Sequence, residues 1–140
     1  MQIAKTTRPR WAIIAAIVAV VFGGMTLFSG GSVLFIDGDA RASAGNYVPF
    51  VLWFNFVAGF AYILSGVGLF LWQKWGINLA LIILVATLAT FIGFGLHIWL
   101  GGSYEPRTIG AMSLRSMVWL IIALKARSSW NNATKRMAVQ

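Results

Sequence analysis

Four long apolar runs set the limits on this chain. Residues 11–36, 48–72, 77–100 and 108–124 are almost free of charge, and short polar segments separate them. About 20 helical residues cross roughly 30 Å of hydrocarbon, so runs of this kind read as membrane spans. The spans must be helices, because an isolated strand leaves backbone groups unpaired in lipid. Short connections make successive spans antiparallel neighbours. The expected fold is therefore all-α, an integral membrane four-helix up-down bundle. The whole chain, 1–140, is expected to form one transmembrane domain, with 125–140 as a polar cytoplasmic tail.

Composition agrees. The sequence is 59% hydrophobic and only 10% charged, against about 25% charged in soluble proteins. The net charge of +8 sits at the ends of the runs, which argues for membrane topology and against nucleic acid. There is no cysteine, which excludes disulfides, thiolate catalysis, iron–sulfur clusters and cysteine zinc sites. Lys5, Arg8 and Arg10 before an apolar run, with Ala42-Ser43-Ala44 after it, imitate a secretory signal. That run is longer than an h-region of roughly 7–15 residues, so an uncleaved first span is expected.

Basic residues orient the bundle. Lys5, Arg8, Arg10, Lys74, Lys125, Arg127, Lys135 and Arg136 fall on one side; Arg41, Arg107 and all three acids, Asp37, Asp39 and Glu105, fall on the other. Positive charge collects on the cytoplasmic face. Both termini are thus expected in the cytoplasm of a cell with an inner membrane, and loops 37–47 and 101–107 in the periplasm. Trp11, Trp72 and Trp75 mark the inner interface, and Tyr47, Trp53, Trp99 and Tyr104 the outer one. Pro106 suits the first turn of span 4, where its missing N–H costs nothing.

Small residues recur at helical spacing: Gly23, Thr26 and Gly30 in span 1; Asn55, Ala58, Gly59, Tyr62, Ser65 and Gly66 in span 2; Ala86, Thr90, Gly93 and His97 in span 3. Such stripes let helices approach closely in lipid. They place Asn55 and His97 toward the interior.

The segment His97–Arg115, HIWLGGSYEPRTIGAMSLR, holds the only histidine, one of three acids and an arginine inside an apolar run. A charge at the centre of a span costs about 2.5–3.5 kcal/mol on insertion scales, so such residues face the interior and pair. Two readings stand. Arg115 snorkels outward or pairs with Asp37, Asp39 or Glu105 to fasten the loops. Alternatively Asn55, His97, Tyr104, Glu105 and Arg115 line an outer-leaflet pocket for a carbonyl or anionic head group. Ion conduction is disfavoured, because the inner half of the spans holds no titratable group. One histidine makes neither a zinc site nor bis-histidine haem ligation. Single axial ligation of haem or a pigment stays open, since Gly93 leaves room one turn away, but a hydrogen-bonded histidine at a helix end is commoner. No catalytic motif and no metal site is present. The basic tail segment RSSWNNATKR, Arg127–Arg136, reads as solvated or interfacial.

Span 1 ends in FGGMTLFSGG, Phe22–Gly31, and span 2 continues as NFVAGFAYILSGVGLFLWQKWG, Asn55 to Gly76. This layout, over spans 1–3, resembles the DoxX-like family of small four-helix bacterial membrane proteins. The family often carries glutamate where Asn55 stands, so no carboxylate role transfers to that position. The resemblance implies association with quinone-linked oxidation or with partner redox proteins. The function expected is a small accessory protein or subunit of a larger membrane complex. The alternative is a DoxX-like redox protein holding a quinone or lipid head group near Arg115 and His97. Expected partners are membrane lipids and other membrane subunits, and the expected bound molecule is a quinone or lipid.

Overall fold

The computed structural model describes residues 8–36 and 38–139. All secondary structure among them is helical: α1 (Arg10–Phe35), α2 (Asp39–Ala44), α3 (Pro49–Phe70), α4 (Lys74–Trp99) and α5 (Pro106–Val139). Four of the five, α1, α3, α4 and α5, are long and apolar enough to cross a membrane. The three prolines stand at helix starts, Pro9 as the cap of α1 and Pro49 and Pro106 as the first residues of α3 and α5. There the missing N–H is one the helix could not have used. Outward side chains are large and bare: Phe28, Ile92, Val85 and Met25 are all more than half exposed. Apolar surface this extensive is unusual in water and ordinary in lipid.

α1 packs on α3, α3 on α4 and α4 on α5. Glycines set the α1–α3 distance. A Cβ on Gly23 would stand 2.8 Å from the Gly59 carbonyl oxygen, and one on Gly66 3.0 Å from that of Ala16. Gly68 and Gly76 press backbone to backbone across the α3–α4 turn, where the Ser65 hydroxyl donates to the Gly76 carbonyl at 3.0 Å. The small-residue stripes expected in spans 1 and 2 are buried, with Asn55 half-buried. In span 3 the stripe is displaced: the buried line of α4 is Ala80, Ile83, Leu84, Thr87 and Phe94, while Ala86, Thr90, Gly93 and His97 are half-buried.

Two polar segments hold more helix than the sequence suggests. The connection 37–46 contains α2, whose Arg41 turns back to cap α1, donating to the carbonyls of Val33 at 2.8 Å and Leu34 at 2.9 Å. A cation there also meets the negative end of the α1 dipole. The tail continues α5 to Val139. No glycine or proline follows Gly110 in that helix, so nothing ends it where the apolar run ends.

The helix ends cluster. At one end, the Asn46 N–H donates to Glu105 Oε1 at 2.8 Å and Arg107 donates to the Ser43 carbonyl at 2.6 Å, joining the α1–α3 and α4–α5 connections. At the other, Arg8 donates to the Phe70 carbonyl, Trp72 packs on Trp11 and Trp130, and Lys125 lies 5.1 Å over the Trp11 ring.

Candidate functional site

The buried apolar side chains form two clusters. One contains Ala19, Tyr62, Leu84 and Trp119; the other, nearer the Asn46–Glu105 end, contains Val48, Val51, Phe94 and Met112. Between them each long helix contributes polar residues: Thr26 from α1, Asn55 from α3, Thr87 and Thr90 from α4, Arg115 and Ser116 from α5. The core is interrupted by a polar layer with Arg115 in it.

Arg115 is nine residues into α5, about 14 Å from its start at 1.5 Å per residue. Its Nη2 donates to the Thr26 hydroxyl at 3.4 Å, and its guanidinium lies 5.4 Å over the Phe22 ring. The Tyr62 hydroxyl is close to both Arg115 and Thr87 without a formed hydrogen bond. Tyr62 itself is held between Phe22, stacked at 5.7 Å, and Trp119 at 4.9 Å. These contacts hold a fork of N–H donors over the Phe22 ring.

Polar valence here is largely unmet. Among the described residues seven buried side-chain polar atoms have no hydrogen-bond partner, and all but Trp72 Nε1 belong to residues of this layer or to the aromatic pair Tyr62 and Trp119. They are Asn55 Oδ1, Tyr62 Oη, Thr87 Oγ1, Arg115 Nε, Ser116 Oγ and Trp119 Nε1. Leaving one such group unsatisfied costs about 1–3 kcal/mol, more when it is charged. The set offers donors from a cation, an indole and three hydroxyls, which suits a carbonyl or anionic oxygen.

The five residues expected to share one pocket occupy two levels. Asn55 and Arg115 belong to the layer. His97, Tyr104 and Glu105 belong to the connection above it, and each is engaged locally. His97 Nε2 is 3.0 Å from the Ser103 carbonyl, and its ring meets the edge of Phe50. Tyr104 packs on Phe94, and Glu105 accepts from Asn46. Glu105 precedes Arg115 by ten residues, about 15 Å along the helix, beyond the reach of an arginine side chain. Among the described residues Arg115 forms no ion pair with a carboxylate; its hydrogen bond runs sideways to α1. Asp37, the third acid expected as a candidate partner, lies outside the described residues.

A groove of about 430 Å³ opens above the layer between α1, α2 and α5, lined by Ser29, Ser32, Ser43, Tyr47, Arg107 and Thr108. Ser29 is one turn from Thr26, and Thr108 is two turns from Arg115, on the same helix faces. Among the described residues no group of three or more His, Cys, Asp or Glu converges as a metal site.

Sequence reasoning missed the layer's other members as a set. Thr26 and Tyr62 lie on the packing stripes already recognised. Met112, Ser116 and Trp119 follow at four- and seven-residue spacing on the inward face of α5, a signal that was available.

The fold and layer define a class: a four-helix protein of membrane-spanning character with a half-buried arginine whose Nε is unpartnered, set among further unpartnered polar atoms. Neither a protein-family model, nor a curated protein, nor a solved structure matches the chain.

Proposed function

We propose that this chain is a small multi-pass protein of a bacterial-type inner membrane that binds a molecule rather than transforming one. The bound molecule is amphipathic: a quinone or lipid whose carbonyl or phosphate oxygen takes hydrogen bonds from Arg115 and the hydroxyls around it. The observation that carries this reading is the unpartnered Nε of Arg115 inside the membrane-spanning core, beside the unpartnered hydroxyl of Tyr62, which in turn lies near that of Thr87. A guanidinium retained in an apolar interior with only one weak internal bond is expensive. An acceptor oxygen seated in the layer offsets that expense. The groove lined by Ser29 and Arg107 is the entry from the outer leaflet, and the molecule's tail lies along the bare apolar helix faces.

In this reading the helices run up and down, both termini are cytoplasmic, and loops 37–47 and 101–107 are periplasmic. The distribution of basic residues supports that orientation, and the contacts of Glu105 and Arg107 with the 37–47 loop support the up-down arrangement by putting both loops at one end. The resemblance to DoxX-like proteins favours a quinone over a lipid. The protein serves as an accessory or subunit of a larger membrane complex, since among the described residues its interior offers binding groups and no nucleophile hydrogen-bonded to a base.

The test is native mass spectrometry of protein extracted gently from its own membranes, with co-extracted molecules identified, for the wild type and Arg115→Ala. One quinone or lipid per chain, released by the substitution, supports the site. Equal retention by both proteins, or none by either, removes it. Co-extraction with other subunits supports the accessory role.

A further inference from the structure

A second polar cleft lies at the opposite end of the molecule from the Glu105 connection. It has a volume of about 320 Å³ and is lined by Lys74, Asn78, Arg127, Trp130 and Asn131 over a floor of Ile77 and Leu81. Lys74 and Asn78 are one turn apart on α4, and Arg127 and Asn131 one turn apart on α5. Spacing of four puts each pair on one helix face, so two cation–amide pairs line a common space. This wall exists because α5 continues past its apolar run.

Charge makes the cleft demanding. The sequence has three acids, at 37, 39 and 105, and none between Glu105 and Gln140 or between Asp39 and Glu105. Lys74 and Arg127 therefore have no carboxylate on their own helices or on α3 to pair with. Lys74 also begins α4, whose N-terminus carries partial positive charge and unused N–H donors. Trp130, which lines this cleft, is of a residue type favoured at the level of lipid head groups.

We infer that this cleft binds the phosphate of an anionic phospholipid at the inner membrane surface. Lys74 and Arg127 contact the phosphate oxygens, Asn78 and Asn131 donate from the flanks, and Ile77 and Leu81 lead the acyl chains down the α4–α5 seam. The chemistry recognised is a phosphate-type anion; the apolar floor selects a lipid over free inorganic phosphate. This site is separate from the Arg115 layer and does not depend on it; only its placement at the inner surface rests on the orientation proposed above.

The experiment is titration of purified full-length protein in nanodiscs or detergent with phosphatidylglycerol or cardiolipin, phosphatidylcholine as the zwitterionic control, and inorganic phosphate as competitor. Binding is read by native mass spectrometry. The variants are Lys74→Gln/Arg127→Gln and, with the same charge removed, Lys135→Gln/Arg136→Gln. The expected result is anionic-lipid binding weakened about tenfold to thirtyfold in the first variant, two basic contacts being lost, and nearly unchanged in the second. Phosphatidylcholine binds weakly throughout, and millimolar phosphate does not displace the lipid. Equal weakening in both variants means a diffuse field and overturns the site. Displacement by phosphate overturns the lipid assignment. If the first variant does not fold, Asn78→Leu/Asn131→Leu, which keeps both charges, is expected to weaken binding; unaltered binding there also overturns the site.

Discussion

Arg115 reaches across the bundle to Thr26, and this 3.4 Å hydrogen bond is the polar tie between α5 and α1 within the core. At that length it is weak, and it leaves Arg115 Nε without a partner. A buried charge that is poorly paired destabilises the fold that holds it. Arg115→Met keeps the length and removes the charge. In ligand-free, delipidated protein it is expected to raise unfolding stability by about 1–3 kcal/mol, while abolishing retention of the bound molecule. Equilibrium unfolding in mixed detergent measures this. A loss of similar size would mean that the arginine fastens the bundle, and the binding reading would weaken with it.

The α1–α3 contact gives an internally controlled pair. A Cβ at Gly23 meets the Gly59 carbonyl oxygen and Ile63, each at 2.8 Å, whereas one at Gly24 meets nothing within 4 Å. Gly23→Ala therefore forces the helices apart, at about 1–3 kcal/mol. Gly24→Ala relieves the glycine penalty in a helix and is expected to be neutral or stabilising by up to about 1 kcal/mol. Thermal midpoints of the two variants, measured in one detergent, check the sign of each.

That stripe was legible because glycine spacing of three, four and seven carries its meaning within a single helix. The start of α5 was legible too, since Pro106 fits only a first turn. The α4 face was not: its lipid-facing and buried sides are both apolar, so hydropathy cannot separate Thr87, which is buried, from Thr90, which is half-buried. The tail helix was missed because hydropathy falls where lipid ends, while no glycine or proline stops the helix there. Arg115 announced itself as a charge in an apolar run. Its partners Thr26 and Tyr62 did not, because a sequence gives spacing along one helix and is silent on the register between two.

Trp72 carries a left-handed backbone, φ 51°, at the end of α3. The turn closes by Gln73 N–H donating to Gly68 at 2.9 Å and Trp72 N–H to Leu69 at 3.1 Å, the arrangement in which glycine is usual. A bulky residue there costs roughly 1–2 kcal/mol. The ring repays it by packing on Trp11 and Trp130, at 5.9 and 5.8 Å. Trp72→Ala is expected to lose about 3–5 kcal/mol. Trp72→Gly, with less side chain still, is expected to be more stable than Trp72→Ala by about 1 kcal/mol. That inverted order, read from unfolding midpoints, isolates the backbone term. The ordinary order, alanine above glycine, would show that the turn relaxes when the ring is removed.

The absence of cysteine makes the orientation directly measurable, because a single introduced thiol is the only one present. Ser43→Cys sits on exposed α2, beside the Arg107 contact; Ser128→Cys sits on the exposed part of α5 near Arg127. The two positions belong to opposite ends of the molecule. In intact cells with a permeable outer membrane, a membrane-impermeant maleimide is expected to label Ser43→Cys and to spare Ser128→Cys until the membrane is opened. Basic residues decide this direction: among the described residues seven lie at the Ser128 end and two at the Ser43 end, and each near the cytoplasmic leaflet is worth about 1 kcal/mol of attraction to anionic lipid. The reverse pattern would put the groove lined by Ser29 and Arg107 on the cytoplasmic side. Any molecule reaching Arg115 would then enter from the inner leaflet.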